Sequence, residues 1–155
     1  MMKFRFTLIV VMIAVWFAIE VSTADVFASD TVAVIAHLSV PEQELNKTRL
    51  LDIYTGDVKN WSDGKPVVVI DLKPAGDVKE TFYKYLGKSP SRMKSVWMKR
   101  MLSGEGDPPV AVESENEMIK RVAATPGAIG FVSRDAVNDT VKTLAIIEDK
   151  SNDKK

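Results

Sequence analysis

Two short runs rich in β-branched residues limit the possible folds of this chain more than any other feature. They are Thr31 to Ala36 (TVAVIA) and residues 66–72 (PVVVIDL), and each has the composition of a buried strand. Residues 128–132 (AIGFV) and 141–147 (VKTLAII) predict two further strands. Helix signals fill the sequence between these runs, which excludes an all-helical or an all-β fold.

Four helices are predicted from capping residues at their ends. Asn46 precedes and Gly56 follows the first of them, as an N-cap and a C′ residue do. Asp77 with Glu80 resembles the capping box of the second helix. The predicted helices cover residues 47–55, 78–86, 90–103 and 115–124. The resulting order, β-α-β-α-α-α-β-β, predicts an α/β fold in which helices flank a mainly parallel sheet.

The first 28 residues have the organisation of a signal peptide. Lys3 and Arg5 form a short basic start, and residues 7–19 (TLIVVMIAVWFAI) carry no charge. Small residues then allow cleavage after Ala28, with Ala24 as the alternative site. An uncleaved signal anchor is the other interpretation, although a membrane span usually needs about 20 apolar residues. We therefore expect a signal peptide at residues 1–28, a periplasmic or secreted domain at residues 29–147 and a charged tail at residues 148–155.

Composition excludes several classes of function. Lys and Arg number 21, and Asp and Glu also number 21, so the chain lacks the basic excess of a nucleic-acid-binding protein. The absence of cysteine excludes a disulfide, a thiol nucleophile and an iron–sulfur cluster. The single histidine, His37, has no evident nucleophile or acid to act with. The acidic residues between Glu105 and Glu117 match no calcium-loop spacing. We therefore predict a non-enzymatic chain with no catalytic residue, metal site or cofactor.

The turn between the second strand and the second helix is the strongest candidate for a ligand site. Ligands of parallel sheets bind outside the carboxyl ends of strands, where the first amides of a helix are free to meet an anion. Residues 71–79 (DLKPAGDVK) hold this position, and Lys73 and Lys79 would add positive charge. Asp71 and Asp77 would oppose an anion, and Asp77 would satisfy the amides itself as the helix cap. An ordinary capped turn is the alternative interpretation.

Three segments resemble the phosphate-type periplasmic substrate-binding proteins of ABC transporters. Residues 52–61 (DIYTGDVKNW) resemble the D-I-[FY]-x-G-x-x-x-x-W segment of that family. Residues 67–86 (VVVIDLKPAGDVKETFYKYL) occupy the place of its strand, glycine-rich anion loop and F-x-x-Y-L helix. Residues 125–132 (TPGAIGFV) resemble its P-G-A-I-G-Y-V signature. From these motifs in this order, the chain is identified as a short member that matches only the second of the family's two α/β lobes.

The resemblance implies an anion site in the turn of residues 71–79. The family holds phosphate with an arginine and a Ser-Gly-Thr triplet, whereas this chain has Leu72 near the arginine position and lacks the hydroxyls of the triplet. Because an arginine–phosphate pair is among the strongest polar contacts, its loss should weaken phosphate binding severely. The amides of the helix start and a lysine would remain. The predicted anion-binding residues are Lys73, Gly76, Asp77, Val78 and Lys79.

We therefore expect an exported domain similar to the solute-binding component of a phosphate ABC transporter, with weak or lost binding of phosphate or another small oxyanion. A tight site encloses most of its ligand, so a tight receptor would need a second lobe, by dimerisation or from another chain. The alternative is a protein–protein or sensory module that docks a membrane transporter or sensor subunit through the lobe face, without a small-molecule ligand. The basic run from Lys88 to Arg100 is either a surface for an acidic partner or a solvated face. Trp61 and Trp97 are expected to pack within the lobe.

Overall fold

The predicted strands form a single sheet in residues 31–148, the part of the chain that the computed structural model describes. The strands are β1 (Thr31–Ala36), β2 (Val68–Leu72), β3 (Val110–Val112), β4 (Ala128–Ser133) and β5 (Lys142–Glu148). Their order across the sheet is β3-β2-β4-β1-β5. The helices of these residues are α1 (Lys47–Thr55), α2 (Asp77–Leu86), α3 (Pro90–Ser103) and α4 (Glu115–Ala124), with a short 3-10 turn at Arg134–Ala136. The expected α/β fold is confirmed.

β1 runs against the other strands of the sheet. β2 is parallel to β3 and β4, whereas β1 lies between β4 and β5 and is antiparallel to both. The expectation of a mainly parallel sheet therefore holds for the direction of the other strands and is wrong for β1. The chain leaves β1 and enters β2 at the same end of the sheet, because the His37 amide donates to the Ala128 carbonyl and the Val68 amide to the adjacent Gly127 carbonyl, both at 3.0 Å. A parallel β1–β2 arrangement would need a crossover to the opposite end.

β3 is the strand that the sequence did not predict. It has three residues and follows Pro108 and Pro109 directly. Val110 and Ala111 are exposed at this edge of the sheet, so the segment has no run of buried apolar residues to mark it. Pairing with β2, which places Ile70 opposite Val110, makes it a strand.

Four aromatic rings form the centre of the core. Phe82 of α2 stacks on Phe131 of β4, with ring centroids 4.1 Å apart and ring planes 9° from parallel. Tyr54 of α1 meets Phe82 edge-on at 4.7 Å. Tyr83 meets both phenylalanines edge-on, at 5.4 and 6.1 Å. All four rings are buried, so this cluster ties α1 and α2 to the middle of the sheet.

Two of the sequence motifs meet at Gly127. The indole Nε1 of Trp61 donates to the Gly127 carbonyl at 2.9 Å, beside the bond from the Val68 amide that starts β2. Gly127 has a φ of 78°, and a Cβ atom added there would lie 2.5 Å from the Pro66 carbonyl oxygen. Only glycine fits a position with this backbone angle and this close approach. The glycine and the tryptophan of these motifs thus serve the packing of the lobe.

The second tryptophan of this region also packs within the lobe. Trp97 of α3 donates from Nε1 to the Tyr54 carbonyl at 2.9 Å. Its ring lies against Gly56, where an added Cβ atom would come within 2.7 Å of it. The expectation of a structural role for Trp61 and Trp97 is therefore confirmed.

The expected signal peptide, its cleavage at Ala28 or Ala24 and the tail after Glu148 lie outside the described residues. Within residues 31–148, no helix has the length and apolar character needed to cross a bilayer.

Candidate functional site

The predicted ligand edge of the sheet exists, because β2, β3 and β4 all end there. The Lys73 amide, just after β2, donates to the carbonyl of Val112 at the end of β3, at 2.8 Å. At the end of β4, the Ser133 hydroxyl donates to Glu115 Oε2 at 2.7 Å, which joins this strand to the first turn of α4. The amino termini of α2 and α4 therefore lie at one edge of the sheet, as the sequence predicted for α2.

Gly76, and not Asp77, is the N-cap of α2. The helix begins at Asp77, and Gly76 before it has an extended backbone with no side chain to accept a hydrogen bond. The prediction that Asp77 caps the helix from residue 78 is therefore wrong by one position. The reason is that the Gly76 carbonyl accepts the first helical bond, from the Glu80 amide at 2.9 Å. Among residues 31–148 no side-chain cap covers the first amides of α2, and Asp77 is exposed at the first position of the helix.

Both lysines predicted to attract an anion are already paired with carboxylates. Lys73 Nζ lies 2.6 Å from Glu113 Oε1, on an exposed part of the edge. Lys79 Nζ lies 3.0 Å from Asp71 Oδ2 and also donates to the Leu72 carbonyl. The Lys79 ammonium additionally lies 5.9 Å from the centre of the Tyr83 ring. Only Lys73 extends into solvent beside the turn, whereas Lys79 is held against the body of the lobe.

Asp71 and Lys79, both partly buried, form a small polar group with the buried Tyr83 under the turn. Burial raises the pKa of Asp71 above its ordinary value, and the charge of Lys79 together with a hydrogen bond from Tyr83 opposes the shift. Burial, together with the nearby Asp71 charge, raises the pKa of Tyr83. Asp71 Oδ1 is buried without a hydrogen bond to any described residue. The carboxylate is therefore under-solvated, and it depends on the few donors that it has.

Tyr83→Phe should raise the pKa of Asp71 further, because it removes a donor that favours the charged carboxylate. We expect a loss of about 1 kcal/mol in the free energy of unfolding at neutral pH. The pKa of Asp71 is higher in the folded chain than in the unfolded chain, so stability falls as the pH rises from the unfolded pKa through the folded pKa. The loss of stability in Tyr83→Phe should therefore shrink at acid pH, where Asp71 is protonated. Carboxyl-carbon NMR titration and urea unfolding at both pH values measure the two effects.

Tyr85→Phe is the matched control for this substitution. The Tyr85 side chain lies in the same helix, is half-buried, and has Lys47 over its ring rather than a carboxylate beside its hydroxyl. The Tyr85→Phe substitution should therefore leave the pKa of Asp71 unchanged. An equal pKa for Asp71 in Tyr83→Phe and in the parent chain would contradict the proposed dependence on the Tyr83 hydroxyl.

The remaining candidates do not build a second site. Among the described residues, the His37 ring forms hydrogen bonds with Ser39 alone, whose hydroxyl lies 2.8 Å from Nδ1. Among residues 31–148 no group of three or more histidine or acidic side chains is placed to hold a metal ion. Glu113 and Glu117 were two of the acidic residues considered for calcium. They stabilise the sheet edge instead, since the Glu117 carboxylate accepts a hydrogen bond from the Glu113 amide at 2.9 Å. Sequence spacing could not reveal the Lys73–Glu113 pair, whose members lie 40 residues apart.

An α/β lobe that presents a helix amino terminus and polar turns at the carboxyl edge of its sheet has the architecture of solute-binding lobes. Residues 19–154 match the model of the PBP superfamily domain, and the chain belongs to this family. The family expected from the three motifs is thereby confirmed.

Named relatives are phosphate-binding transport proteins. The chain is 25% identical over 154 residues to the phosphate-binding protein PstS of Bacillus subtilis (strain 168), across 84% of this chain and 46% of that protein. The solved structure of a phosphate ABC transporter substrate-binding protein of Clostridium perfringens, with bound phosphate, matches with a TM-score of 0.61 and 21% identity, over 73% of this chain and 43% of that one. An ABC-type phosphate transport receptor of Vibrio cholerae matches with a TM-score of 0.58 and 20% identity, over 73% of this chain and 44% of that one. The structural matches show the fold, and this chain spans less than half the length of each of these relatives.

Proposed function

We propose that this chain is an exported, non-enzymatic solute-binding domain that binds phosphate or a similar small oxyanion weakly, through the first turn of α2. The observation that carries the proposal is Gly76 at the N-cap, which leaves the first amides of α2 without a side-chain acceptor at the ligand edge of the sheet. Family membership and the phosphate-binding relatives support the choice of ligand. We further propose that residues 1–28 direct export and that residues 29–147 form the domain.

Three features make the proposed affinity low. Leu72 replaces the arginine that the family resemblance leads one to expect, so the strongest charge-assisted contact is missing. Lys73 forms an ion pair with Glu113 and Lys79 forms one with Asp71, so neither charge is free for the anion. The turn is exposed, whereas a tight site buries about 70–90% of its ligand. We therefore expect a dissociation constant in the millimolar range, which corresponds to about −4 kcal/mol.

Isothermal titration of the purified protein with phosphate and with sulfate, at low salt, tests the proposal. Low salt is needed because an exposed site is screened over a Debye length of about 10 Å at 0.1 M ionic strength. Titration shifts in an amide NMR spectrum should then be largest at residues 76–79. No heat and no amide shift at these residues, at phosphate concentrations well above millimolar, would overturn the proposed ligand site.

Asp77→Asn should strengthen phosphate binding several-fold. The substitution keeps the shape of the side chain but removes a negative charge from the exposed first position of the helix. A unit charge about 4 Å away contributes roughly 1 kcal/mol in water, so the gain should be about fivefold at low salt and smaller at high salt.

Glu148→Gln is the control for the net charge of the molecule. It removes one negative charge from the exposed last residue of β5, and it should change the affinity much less. Equal effects of the two substitutions would show that binding follows the overall charge rather than the start of α2.

A further inference from the structure

α3 leaves apolar side chains exposed that the lobe does not use. Met93 is the one residue of this helix in the buried core. Leu102 is 79% exposed, Met98 46% and Met101 45%. Because residues three and four apart share a helix face, these three side chains form one stripe along the carboxyl-terminal half of α3. Three large apolar residues grouped on one surface are typical of a binding surface rather than of scattered exposure.

The stripe borders a groove between α3 and the sheet edge, which we call the α3 groove. Its volume is about 520 Å³. Its apolar walls include Met93, Met98, Met101, Pro108, Pro109 and Ala111. At one end it reaches the turn after β2. Methionine side chains are flexible and polarizable, so a groove lined by three of them can adapt to an inserted apolar side chain.

The exposed surface of α3 beside the stripe is basic, and Lys94 of this surface also lines the α3 groove. Between Gly87 and Gly104 the sequence has five lysines and arginines and no acidic residue, in a chain whose overall charge is balanced. Arg100 is paired with Asp57. The other cations of α3, Arg92, Lys94 and Lys99, are exposed and form no ion pair with any described residue. The groove therefore combines apolar walls with the positive charge of Lys94, and Lys99 lies beside Met98 and Leu102 of the stripe.

We propose that the α3 groove binds an amphipathic helix of a partner protein whose apolar side is flanked by acidic residues. Charge complementarity selects an acidic partner, and the concave shape selects inserted side chains over a flat bilayer surface. α3 is 14 residues long, or about 21 Å, which matches a partner helix of about four turns. Two acidic residues of this edge, Glu113 and Glu115, are engaged internally, with Lys73 and with Ser133, and so are not free to meet the basic side chains of a second copy.

The test uses a synthetic peptide as the probe. It is a fluorescein-labelled 14-residue helix with leucine at every third or fourth position and glutamate elsewhere, matched to the length of α3. A second peptide carries lysine in place of every glutamate. Anisotropy is measured with protein expressed from the full sequence and purified. The acidic peptide should bind at micromolar concentration, and its affinity should fall about tenfold or more between low and high salt, whereas the basic peptide should not bind.

Two substitutions locate the binding surface. Met98→Glu places a charge on the apolar stripe and should abolish binding of the acidic peptide. Lys94→Glu, on the lining of the groove, should weaken binding at least tenfold, whereas Lys120→Glu, the same charge change on an exposed position of α4, should have little effect. All three sites are exposed, so far-ultraviolet circular dichroism and thermal unfolding should match those of the parent chain.

Four results would overturn the proposal. The first is no binding of the acidic peptide at about 1 mM, and the second is equal binding of the acidic and basic peptides. The third is that the acidic peptide does not bind, whereas the protein binds vesicles of phosphatidylglycerol and phosphatidylcholine and loses this binding in Met98→Glu. That result would assign the surface to a membrane. The fourth is a dimer in sedimentation that Met98→Glu dissociates, which would assign it to a second copy of the chain.

Discussion

Gly127→Ala should lower the free energy of unfolding by about 2–5 kcal/mol. A φ of 78° lies in the left-handed region, which is unfavourable for alanine. Its Cβ atom would also lie 2.5 Å from the Pro66 carbonyl oxygen, a backbone atom that cannot turn away as a side chain can. Relief of the clash must separate the segment before β2 from the start of β4. That movement strains two hydrogen bonds to the Gly127 carbonyl, from Trp61 and from Val68.

Gly64→Ala is the matched control. Gly64 has nearly the same backbone angle, a φ of 82°, but no atom lies within 4 Å of the position that its Cβ would take. It should therefore cost only about 1–2 kcal/mol, the penalty of the backbone conformation. Urea unfolding followed by tryptophan fluorescence gives both values. Equal losses in the two variants would show that the close approach to Pro66 is unimportant.

Phe82→Ala should cost about 3–5 kcal/mol, because it removes the ring at the centre of the aromatic cluster. Phe82 stacks on Phe131 and meets Tyr54 and Tyr83 edge-on. The cavity would lie between α2 and the middle of the sheet, where the surrounding rings are too rigid to collapse into it. For a domain stabilised by about 5–15 kcal/mol in total, this loss approaches unfolding.

Leu102→Ala is the corresponding control, since it removes a large apolar side chain from an exposed site. It should change the free energy of unfolding by less than about 0.5 kcal/mol. Thermal unfolding of the two variants by circular dichroism makes the comparison. A loss below about 1 kcal/mol for Phe82→Ala would contradict the central role of the cluster.

The elements that the sequence predicted are those with local signals. Asn46 was expected as an N-cap and accepts a hydrogen bond from the Arg49 amide, and Ser89 and Ser114 cap α3 and α4 in the same way. A β-branched run and a capping side chain act within a few residues, so the sequence displays them directly. The reversed direction of β1 depends on which strands it pairs with, and β3 is a strand only because β2 lies beside it. Neither the direction of β1 nor the existence of β3 can be predicted from the residues of the strand itself.

The candidate site was predictable in its place but not in its electrostatics. Strand order and a helix start located the turn after β2. The engagement of Lys73 by Glu113 and the seating of Lys79 between Asp71 and Tyr83 depend on tertiary contacts, and they remove the charge that the two lysines offered in the sequence. Gly76 and Asp77 are adjacent and both acceptable as caps, so the sequence alone could not decide between them.

The position of β1 inside the sheet also sets the order in which the lobe can form. This strand is synthesised before both of its neighbours: Val32 pairs with Ser133 and with Ile147, about 100 and about 115 residues further along the chain. Until those residues have been made, the amino-terminal strand has no hydrogen-bonding partner on either side. A lobe with this connectivity completes its fold only after β4 and β5 have been made, and pairings over such distances make folding slow. For a chain proposed to be exported, late completion keeps the polypeptide unfolded during the interval in which it must be threaded across a membrane.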